Sequence, residues 1–492
     1  MDVHAAFNVP SPWRMAPVLA MALVGNPACD PMLPLPLFAA PDHLDPGLQE
    51  FLDQASQSLC RWLADAEKRG PLPTLSVLPA VAPEAEPASM PVLLEDLQLV
   101  MDGAYRPSHP GALAHLDPPP LTASIAADLI CAGLNNNLLA EELAPSLSHL
   151  ERELCRWLAQ RLGLPSGAGG VPASGGSLSN LMALVVARQQ AGLQANADAV
   201  LLASEDAHVS LAKAVRIMGL RSDALRTVAV DSGGAMRPDL VEAQLGQLRR
   251  QGRPCLAVVA TAGTTVRGAI DPLPQLADLC RRHGVWLHVD GAIGAVYALA
   301  HDTAAPLEGL GLADSITINP QKLLGITKTS SLLLVADRRV LAEAFATGLP
   351  YMEPAWGGAH GGEQGLQGTR PAEILKLWLG LRQLGEQGIQ ALLQGALQRR
   401  RHLQARLDQE RIQVSSGPLH LLVCRPRDRD PERVNAWSAA MRVRLLERHF
   451  MLSRPYYAGC HQLKAVLGNP HTQNAHLDQL AAMLNRSVLE ES

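Results

Sequence analysis

The middle of the chain alternates continuous apolar segments with segments of helical periodicity, and this alternation constrains the fold more than any other feature. Strands that are apolar on both faces belong to a parallel sheet that helices cover on both sides. The sequence therefore predicts an α/β domain whose ligands bind at the carboxyl ends of the strands. The predicted strands are 198–203, 226–230, 255–261, 285–289, 315–318 and 331–336. The predicted helices between them are 177–192, 207–219, 238–251, 272–283 and 304–311.

The flanking regions differ from this pattern and predict a division into three parts. Before the alternation, an amphipathic helix is expected at 48–69, a proline-rich connector at 71–93 and a helix at 146–162. After it, a long helix around 372–408, an apolar segment at 420–424 and a terminal helix near 475–487 predict a smaller α+β domain. The expected parts are an N-terminal helical and irregular segment, a large domain and a small C-terminal domain, at 1–110, 111–375 and 376–492.

Composition and charge exclude several classes of protein. Apolar residues make up 47% of the chain, which is enough for a large core, and the net charge of −5 argues against a nucleic-acid-binding protein. The eight cysteines occur singly, so neither a metal site nor a disulfide framework is predicted, and free thiols in the cytoplasm are expected. The apolar stretch 15–25 is too short to cross a membrane and contains Pro17, so no membrane association or export is expected.

An acid and a lysine follow neighbouring predicted strands. Asp290 ends the apolar segment at 285–289, and Lys322 comes shortly after the segment at 315–318. This pair suits pyridoxal 5'-phosphate chemistry, in which a lysine amine bonds to the cofactor aldehyde and an acid keeps the pyridine nitrogen protonated. Alone, Asp290 could equally cap a helix, and Lys322 could equally lie on the surface.

Further candidates lie at other strand ends. The segment Ser174-Gly-Gly-Ser177 precedes a predicted helix, whose first N–H groups and the Ser177 hydroxyl suit a phosphate, although a glycine turn with a serine cap explains it too. His208 follows a strand and could lie flat on a cofactor ring, or be an ordinary loop histidine. The threonines before Thr265 suit polar contacts in a cleft, but threonine is also common in strands.

Together these segments resemble the group II pyridoxal-phosphate-dependent amino acid decarboxylases, which include glutamate, aromatic amino acid, cysteine sulfinate and diaminobutyrate decarboxylases. The similarity runs from about His109 to Arg370 and is weaker beyond. The segments that carry it, in family order, are Ser174–Asn180, Ser204–His208, Ala260–Thr265 with Ile270–Pro272, His288–Asp290, Asn319–Lys322, and Arg370 before Lys376–Leu379.

The resemblance implies the type I, aspartate aminotransferase-like fold, with a seven-stranded large domain, a small C-terminal domain and a homodimer that shares its active sites. It implies that Lys322 bonds to the cofactor, Asp290 pairs with the pyridine nitrogen and His208 stacks on the ring. The remaining cofactor-binding residues it implies are Gly176, Ser177, Thr265, Ala292 and Asn319.

The resemblance also implies a mobile loop whose tyrosine protonates the product, and Tyr351 is the candidate, although a surface tyrosine would fit as well. For substrate binding it indicates His115, Asp117 and Arg370. An acid at 117 suits a substrate with a distal ammonium, whereas Arg370 suits an acidic side chain.

Two residues depart from the family pattern, and the second of them, together with an aromatic content of only 3%, argues against an aromatic substrate. Gln321 replaces the histidine that commonly precedes the lysine, and Ile293 stands where an aromatic residue often follows. The expected reaction is decarboxylation of a small polar aliphatic L-amino acid such as diaminobutyrate, glutamate or aspartate. The alternatives are another pyridoxal-phosphate reaction, such as transamination, C–S lysis or oxidative deamination, and a non-catalytic homodimer of the same fold.

Overall fold

The computed structural model describes residues 34–74, 78–79, 81–349, 360–428 and 430–488. The apolar stretch 15–25 and Tyr351 therefore lie outside the described residues. The described residues divide into two compact units, one within 1–60 and 77–101 and the other within 61–76 and 102–492.

The helices and strands follow in chain order. The helices are α1 (Pro46–Ala64), α2 (Ala66–Arg69), α3 (Met90–Asp102), α4 (Thr122–Leu134), α5 (Pro145–Arg161), α6 (Gly176–Gln190), α7 (Ser210–Ile217), α8 (Pro238–Arg250), α9 (Leu273–His283), α10 (His301–Ala304), α11 (Arg339–Phe345), α12 (Ile374–Arg406), α13 (Pro431–Glu447) and α14 (Asn474–Ser487). The strands are β1 (Gly169–Ala173), β2 (Val200–Ser204), β3 (Leu225–Val228), β4 (Cys255–Thr261), β5 (Trp286–Gly291), β6 (Ser315–Ile318), β7 (Ser331–Val335), β8 (Ile412–Ser415), β9 (Leu421–Pro426), β10 (Tyr456–Tyr457), β11 (Cys460–His461) and β12 (Leu463–Val466).

The second unit contains the predicted sheet. Its seven strands have the order β1-β7-β6-β5-β4-β2-β3. Every residue of β2, β6 and β7 is buried, which agrees with a sheet that helices cover on both faces. The α/β fold class and the mostly parallel seven-stranded sheet are thereby confirmed.

All the predicted strands are present as β2 to β7, with ends that differ by a few residues at most. The analysis of apolar segments did not find β1, whose sequence is Gly-Gly-Val-Pro-Ala and therefore has no apolar run. A strand with glycines and a proline is tolerated here because β1 lies at the edge of the sheet, where Pro172 need not donate a hydrogen bond on both sides.

One strand of this mostly parallel sheet runs in the opposite direction. β7 runs antiparallel to both β1 and β6. The chain between β6 and β7 contains only the short 3-10 turn Pro320–Lys322, and a parallel return would need a longer crossover. The helix expected at 304–311 is instead broken into short turns, because Pro306 and Gly309, whose φ is +86°, interrupt it.

A second core lies in the C-terminal part of the chain. The antiparallel strands β12-β9-β8 pack with α13 and α14 around buried residues that include Leu422, Trp437, Leu463 and Leu477. This agrees with the smaller α+β domain that the sequence predicts, while the proposed domain limits at 110 and 375 stay predictions. Among the described helices, none is both long enough and apolar enough to cross a membrane.

Candidate active site

One cavity at the carboxyl ends of β4, β5 and β6 contains all the residues that were predicted to bind the cofactor. Its volume is about 240 Å³. Parallel pairing aligns Thr261 of β4 with Asp290 of β5, and Asp290 with Thr317 of β6, so the strands end side by side. The lining residues are Gly176, Ser177, Asn180, His208, Thr261, Gly263, Thr265, Asp290, Ala292, Ile293, Asn319, Gln321 and Lys322.

The first turn of α6 forms one end of the cavity. Gly175, whose φ is +110°, precedes the helix, and its first residue, Gly176, lies against Asn319. A Cβ at Gly176 would lie 2.9 Å from Nδ2 of Asn319, so a larger residue would require the Asn319 side chain to shift. The Asn319 side chain is buried, and its Oδ1 has no hydrogen-bond partner. Free helix N–H groups, the Ser177 hydroxyl and Nδ2 of the Asn319 amide can all donate hydrogen bonds, and such donors suit a phosphate group.

Asp290 forms the wall of the cavity at the end of β5. Its Oδ2 accepts a hydrogen bond from Nδ2 of Asn180 at 2.8 Å, and its Oδ1 accepts one from the Ala292 N–H at 3.2 Å. The side chain is buried, and both of its oxygens accept hydrogen bonds. A buried carboxylate held in this way can pair with a protonated ring nitrogen.

Lys322 closes the 3-10 turn that follows β6. Burial lowers the pKa of its amine from 10.5, while Asp290 and Asp117 act in the opposite direction. A lower pKa increases the fraction of neutral amine, which is the form that attacks an aldehyde. His208 lies in the same cavity, where burial lowers its pKa as well, and its Nδ1 contacts the Ser210 hydroxyl at 2.9 Å.

The predicted substrate-binding residues do not all lie in the same part of the structure. His115 and Asp117 line a small cavity that also touches Lys322. Asp117 forms an ion pair with Lys328 at 2.7 Å. Arg370 is not among the residues that line either cavity, and its guanidinium donates two hydrogen bonds to the buried Glu151. Its role in substrate binding stays a prediction.

Three residues near the cavity were not assigned from the sequence. Asn180 holds Asp290. Gln321 lines the cavity, and its Oε1 accepts a hydrogen bond from the Ser330 N–H, which leaves its amide NH₂ as the free donor. Lys464 of β12 donates to the carbonyl of Thr265 at 3.2 Å, and it is 7% exposed. Burial and the neighbouring Lys322 lower its pKa to about 8. A lysine within an apolar strand is the only sequence signal for it.

The residues present fit pyridoxal phosphate. A helix N-terminus with a buried amide, a buried carboxylate and a buried lysine line one cavity, and these are the groups that a phosphate, a pyridine nitrogen and an aldehyde require.

Comparisons with known proteins agree with this site. Residues 71–424 match the family model described as the pyridoxal-dependent decarboxylase conserved domain, and the chain belongs to this family. It is 35% identical to the L-2,4-diaminobutyrate decarboxylase of Rhizobium meliloti (strain 1021) over 67% of this chain and 66% of that protein. It is 30% identical to the human cysteine sulfinic acid decarboxylase over 88% of this chain and 91% of that protein. The fold matches the crystal structure of mouse CSAD in apo form with a TM-score of 0.82 and 25% identity, covering 90% of this chain and 99% of that one.

Family membership confirms three expectations from the sequence: the group II decarboxylase resemblance, pyridoxal phosphate as the cofactor, and a carboxy-lyase reaction on an amino acid. The roles of individual site residues stay predictions.

Proposed function

We propose that this protein decarboxylates a small polar aliphatic L-amino acid. The observation that carries the proposal is the single cavity in which Lys322, Asp290 and the N-terminus of α6 meet. When bound there, pyridoxal phosphate supplies an electron sink for the bond to the departing carboxylate.

The residues of the chain have separate tasks in this proposal. Lys322 would hold the cofactor through its amine. Asp290 keeps the pyridine nitrogen protonated, and His208 packs on the ring face. Gly176, Ser177 and Asn319 bind the phosphate, while Thr265 and Ala292 contact the ring. Tyr351 delivers the final proton to the product.

The size and polarity of the cavity support a short substrate. A volume of about 240 Å³ is small compared with the roughly 300–1,000 Å³ of usual ligand pockets, and it must hold the cofactor as well. The lining contains Ile293 but no large aromatic side chain. Two relatives are named for diaminobutyrate and cysteine sulfinic acid, which are amino acids with short charged side chains, and this agrees with a short polar substrate.

Lys464 supports binding of a substrate anion. Among the described residues, no carboxylate lies within ion-pair distance of its ammonium, although Lys376, another buried lysine, has two such partners. An unpaired buried charge destabilises the folded protein, and a bound ligand of opposite charge offsets this effect. We propose that Lys464 binds a carboxylate of the amino acid substrate.

The charge of the substrate side chain decides between the named candidates. Asp117 could bind a distal ammonium such as that of diaminobutyrate, but it already pairs with Lys328. A short acidic side chain, as in aspartate, glutamate or cysteine sulfinate, would instead add a second anion near Lys464.

A carbon dioxide release assay tests the proposal. Full-length protein with pyridoxal phosphate is given carboxyl-labelled diaminobutyrate, ornithine, aspartate, glutamate, cysteine sulfinate and tryptophan, with Lys322→Ala as the control. We expect release from one of the short polar amino acids and none from the control. Faster release from tryptophan, or none from any substrate, would contradict the proposal.

A homodimer in the cytoplasm completes the proposal. Leu129, Ile130 and Leu134 of α4 are each about half exposed, and grouped apolar side chains of this kind mark protein–protein contacts. The cysteines within the described ranges are free thiols, as expected in a reducing compartment. Light scattering should give twice the chain mass of 52.5 kDa. A monomer that is fully active would contradict shared active sites.

A further inference from the structure

A buried hydrogen-bond network adjoins the cavity, and its centre is Asn180, one of the lining residues. The side chains that form it are 0–5% exposed, and they come from one helix, two strands and the start of another helix. Its members besides Asn180 are Ser210, Asp290, His288, Ser315 and Thr317.

The sheet and α6 place these side chains together. His288 and Asp290 are two residues apart on β5, and Ser315 and Thr317 are two residues apart on β6, so all four side chains point to the same face of the sheet. Register pairs His288 with Ser315 and Asp290 with Thr317. Asn180 lies one helical turn after Gly176, so one face of α6 supplies both the phosphate end of the cavity and the partner of Asp290.

The chemistry of the Asn180 amide fixes the direction of each bond. Its Oδ1 can only accept, and it is contacted by Nε2 of His288 at 3.1 Å and by the hydroxyl of Thr317 at 2.8 Å. Its Nδ2 can only donate, and it donates to Asp290 at 2.8 Å and to the hydroxyl of Ser210 at 3.0 Å. The opposite orientation of the amide would place its oxygen against the Asp290 carboxylate.

The same logic assigns the proton of each imidazole. His288 donates from Nε2, so its Nδ1 accepts the hydroxyl of Ser315, which in turn accepts from the indole N–H of Trp286. Burial lowers the pKa of His288 to about 4, which agrees with a neutral ring. The Ser210 hydroxyl accepts from Asn180 and therefore donates to Nδ1 of His208, which also accepts the Ser210 N–H at 3.2 Å.

We propose that Asn180 is a positioning residue, which orients the Asp290 carboxylate and, through Ser210, holds His208 as the neutral tautomer with its proton on Nε2. His288 is the donor that orients the Asn180 amide. The positions of the Asp290 carboxylate and of the His208 imidazole in the cavity are then set by Asn180, which also lines the cavity, and by Ser210, which is not among the lining residues. The inference deepens the proposed function, since it concerns the same site.

The first test measures the binding of pyridoxal phosphate to full-length protein by titration. Asn180→Ala removes both donors, and we expect about a 10- to 100-fold loss of affinity, as for other partners that orient a ligand-binding group. His288→Gln keeps a donor near the position of Nε2, whereas His288→Met has a similar size and no donor. We expect the Gln variant to retain most of the affinity and the Met variant to lose about tenfold.

The second test measures which ring nitrogen of His208 carries the proton. A residue with only a structural role would not change this protonation. Nitrogen-15 spectra of labelled histidine in the full-length protein should show the His208 ring with an unprotonated Nδ1, assigned with a His208→Gln variant. Ser210→Ala, a small change that retains the N–H bond to Nδ1, should increase the population protonated at Nδ1. This result is expected even where Asn180→Ala does not fold.

Equal cofactor affinity in His288→Gln and His288→Met, or a His208 spectrum that Ser210→Ala leaves unchanged, would overturn the proposal. Neither measurement uses an amino acid substrate. A failure of the proposed decarboxylation would therefore leave these results intact, and their failure would leave the decarboxylation assay unaffected.

Discussion

Replacement of Lys464 by methionine should stabilise the cofactor-free protein while it impairs the enzyme. Lys464 is buried and has a pKa of about 8, compared with 10.5 for an ordinary lysine. Each pKa unit corresponds to about 1.4 kcal/mol, so holding the ammonium in the folded protein costs on the order of 3 kcal/mol. Methionine removes this cost but also leaves the Thr265 carbonyl without its donor, which costs about 1 kcal/mol. We expect a net gain of about 2 kcal/mol in the free energy of unfolding at pH 7.

The gain should depend on pH in a defined way. Below pH 8, Lys464 is protonated in both the folded and the unfolded chain, and the full cost of burial is present. Between pH 8 and 10.5 the unfolded chain binds the proton and the folded one does not, so the stability of the original protein rises with pH. The difference between Lys464→Met and the original protein should therefore shrink as the pH rises from 8 to 10.5.

Lys376→Met is the matched control, because this lysine is also buried but has carboxylate partners. Lys376 lies 3.3 Å from Asp128 and 3.7 Å from Glu373. Its removal leaves these partly exposed carboxylates without their donor, and we expect a loss of about 1.5–3 kcal/mol. Urea denaturation of both variants at pH 7 and pH 10 measures the contrast.

The same substitution tests the role of Lys464 toward substrate. Loss of a charge-assisted hydrogen bond of about 1.5–3 kcal/mol should lower kcat/KM by about 10- to 100-fold. Destabilisation by Lys464→Met as large as that of Lys376→Met would refute the electrostatic reasoning. A stabilised variant with unchanged kcat/KM would refute only the contact with substrate.

Three other substitutions test separate parts of the site. Lys322→Ala should abolish the visible absorbance of the bound cofactor, and an unchanged absorption spectrum would exclude this lysine as the attachment point. Tyr351→Phe should suppress amine formation by at least about tenfold at unchanged cofactor affinity, measured by product analysis; full activity would exclude its role as proton donor. Arg370→Met should lower the free energy of unfolding by about 3–5 kcal/mol in urea, because Glu151 would keep a buried, unpaired charge; a much larger effect on KM than on stability would instead favour substrate binding.

The sequence was sufficient to predict the cofactor-binding candidates, all of which line the cavity, for a physical reason. A buried parallel sheet requires continuous apolar strands, and polar residues at their carboxyl ends have no other place than the cleft. Asp290, Asn319 and Lys322 are therefore visible as polar residues that interrupt apolar segments. The edge strand β1 was missed because glycine and proline replace the apolar run there.

The partners of these residues were harder to predict because they depend on contacts between distant parts of the chain. Lys464 and Thr265 are 199 residues apart, and the pair Arg370 and Glu151 is 219 residues apart. The network around Asn180 can be recognised in the sequence by one pattern. Polar residues alternate with apolar ones in His288-Val-Asp290 and Ser315-Ile-Thr317, and two neighbouring buried strands with this alternation indicate a shared polar face.

The two sides of the cavity are stabilised by different electrostatic means, and this difference relates stability to function. Behind Asp290, a network of neutral groups supplies hydrogen bonds whose directions are fixed, and it adds no charge. On the opposite side, burial lowers the pKa of both Lys322 and Lys464, Lys322 lowers that of Lys464 further, and neither amine has an ion-pair partner among the described residues. The cofactor phosphate and the substrate carboxylate are both anions, so their binding relieves a cost that the empty protein carries. A ligand that binds only the folded chain stabilises it in proportion to its affinity. Pyridoxal phosphate should therefore raise the stability of the original protein more than that of Lys464→Met, since the variant has less repulsion left to relieve.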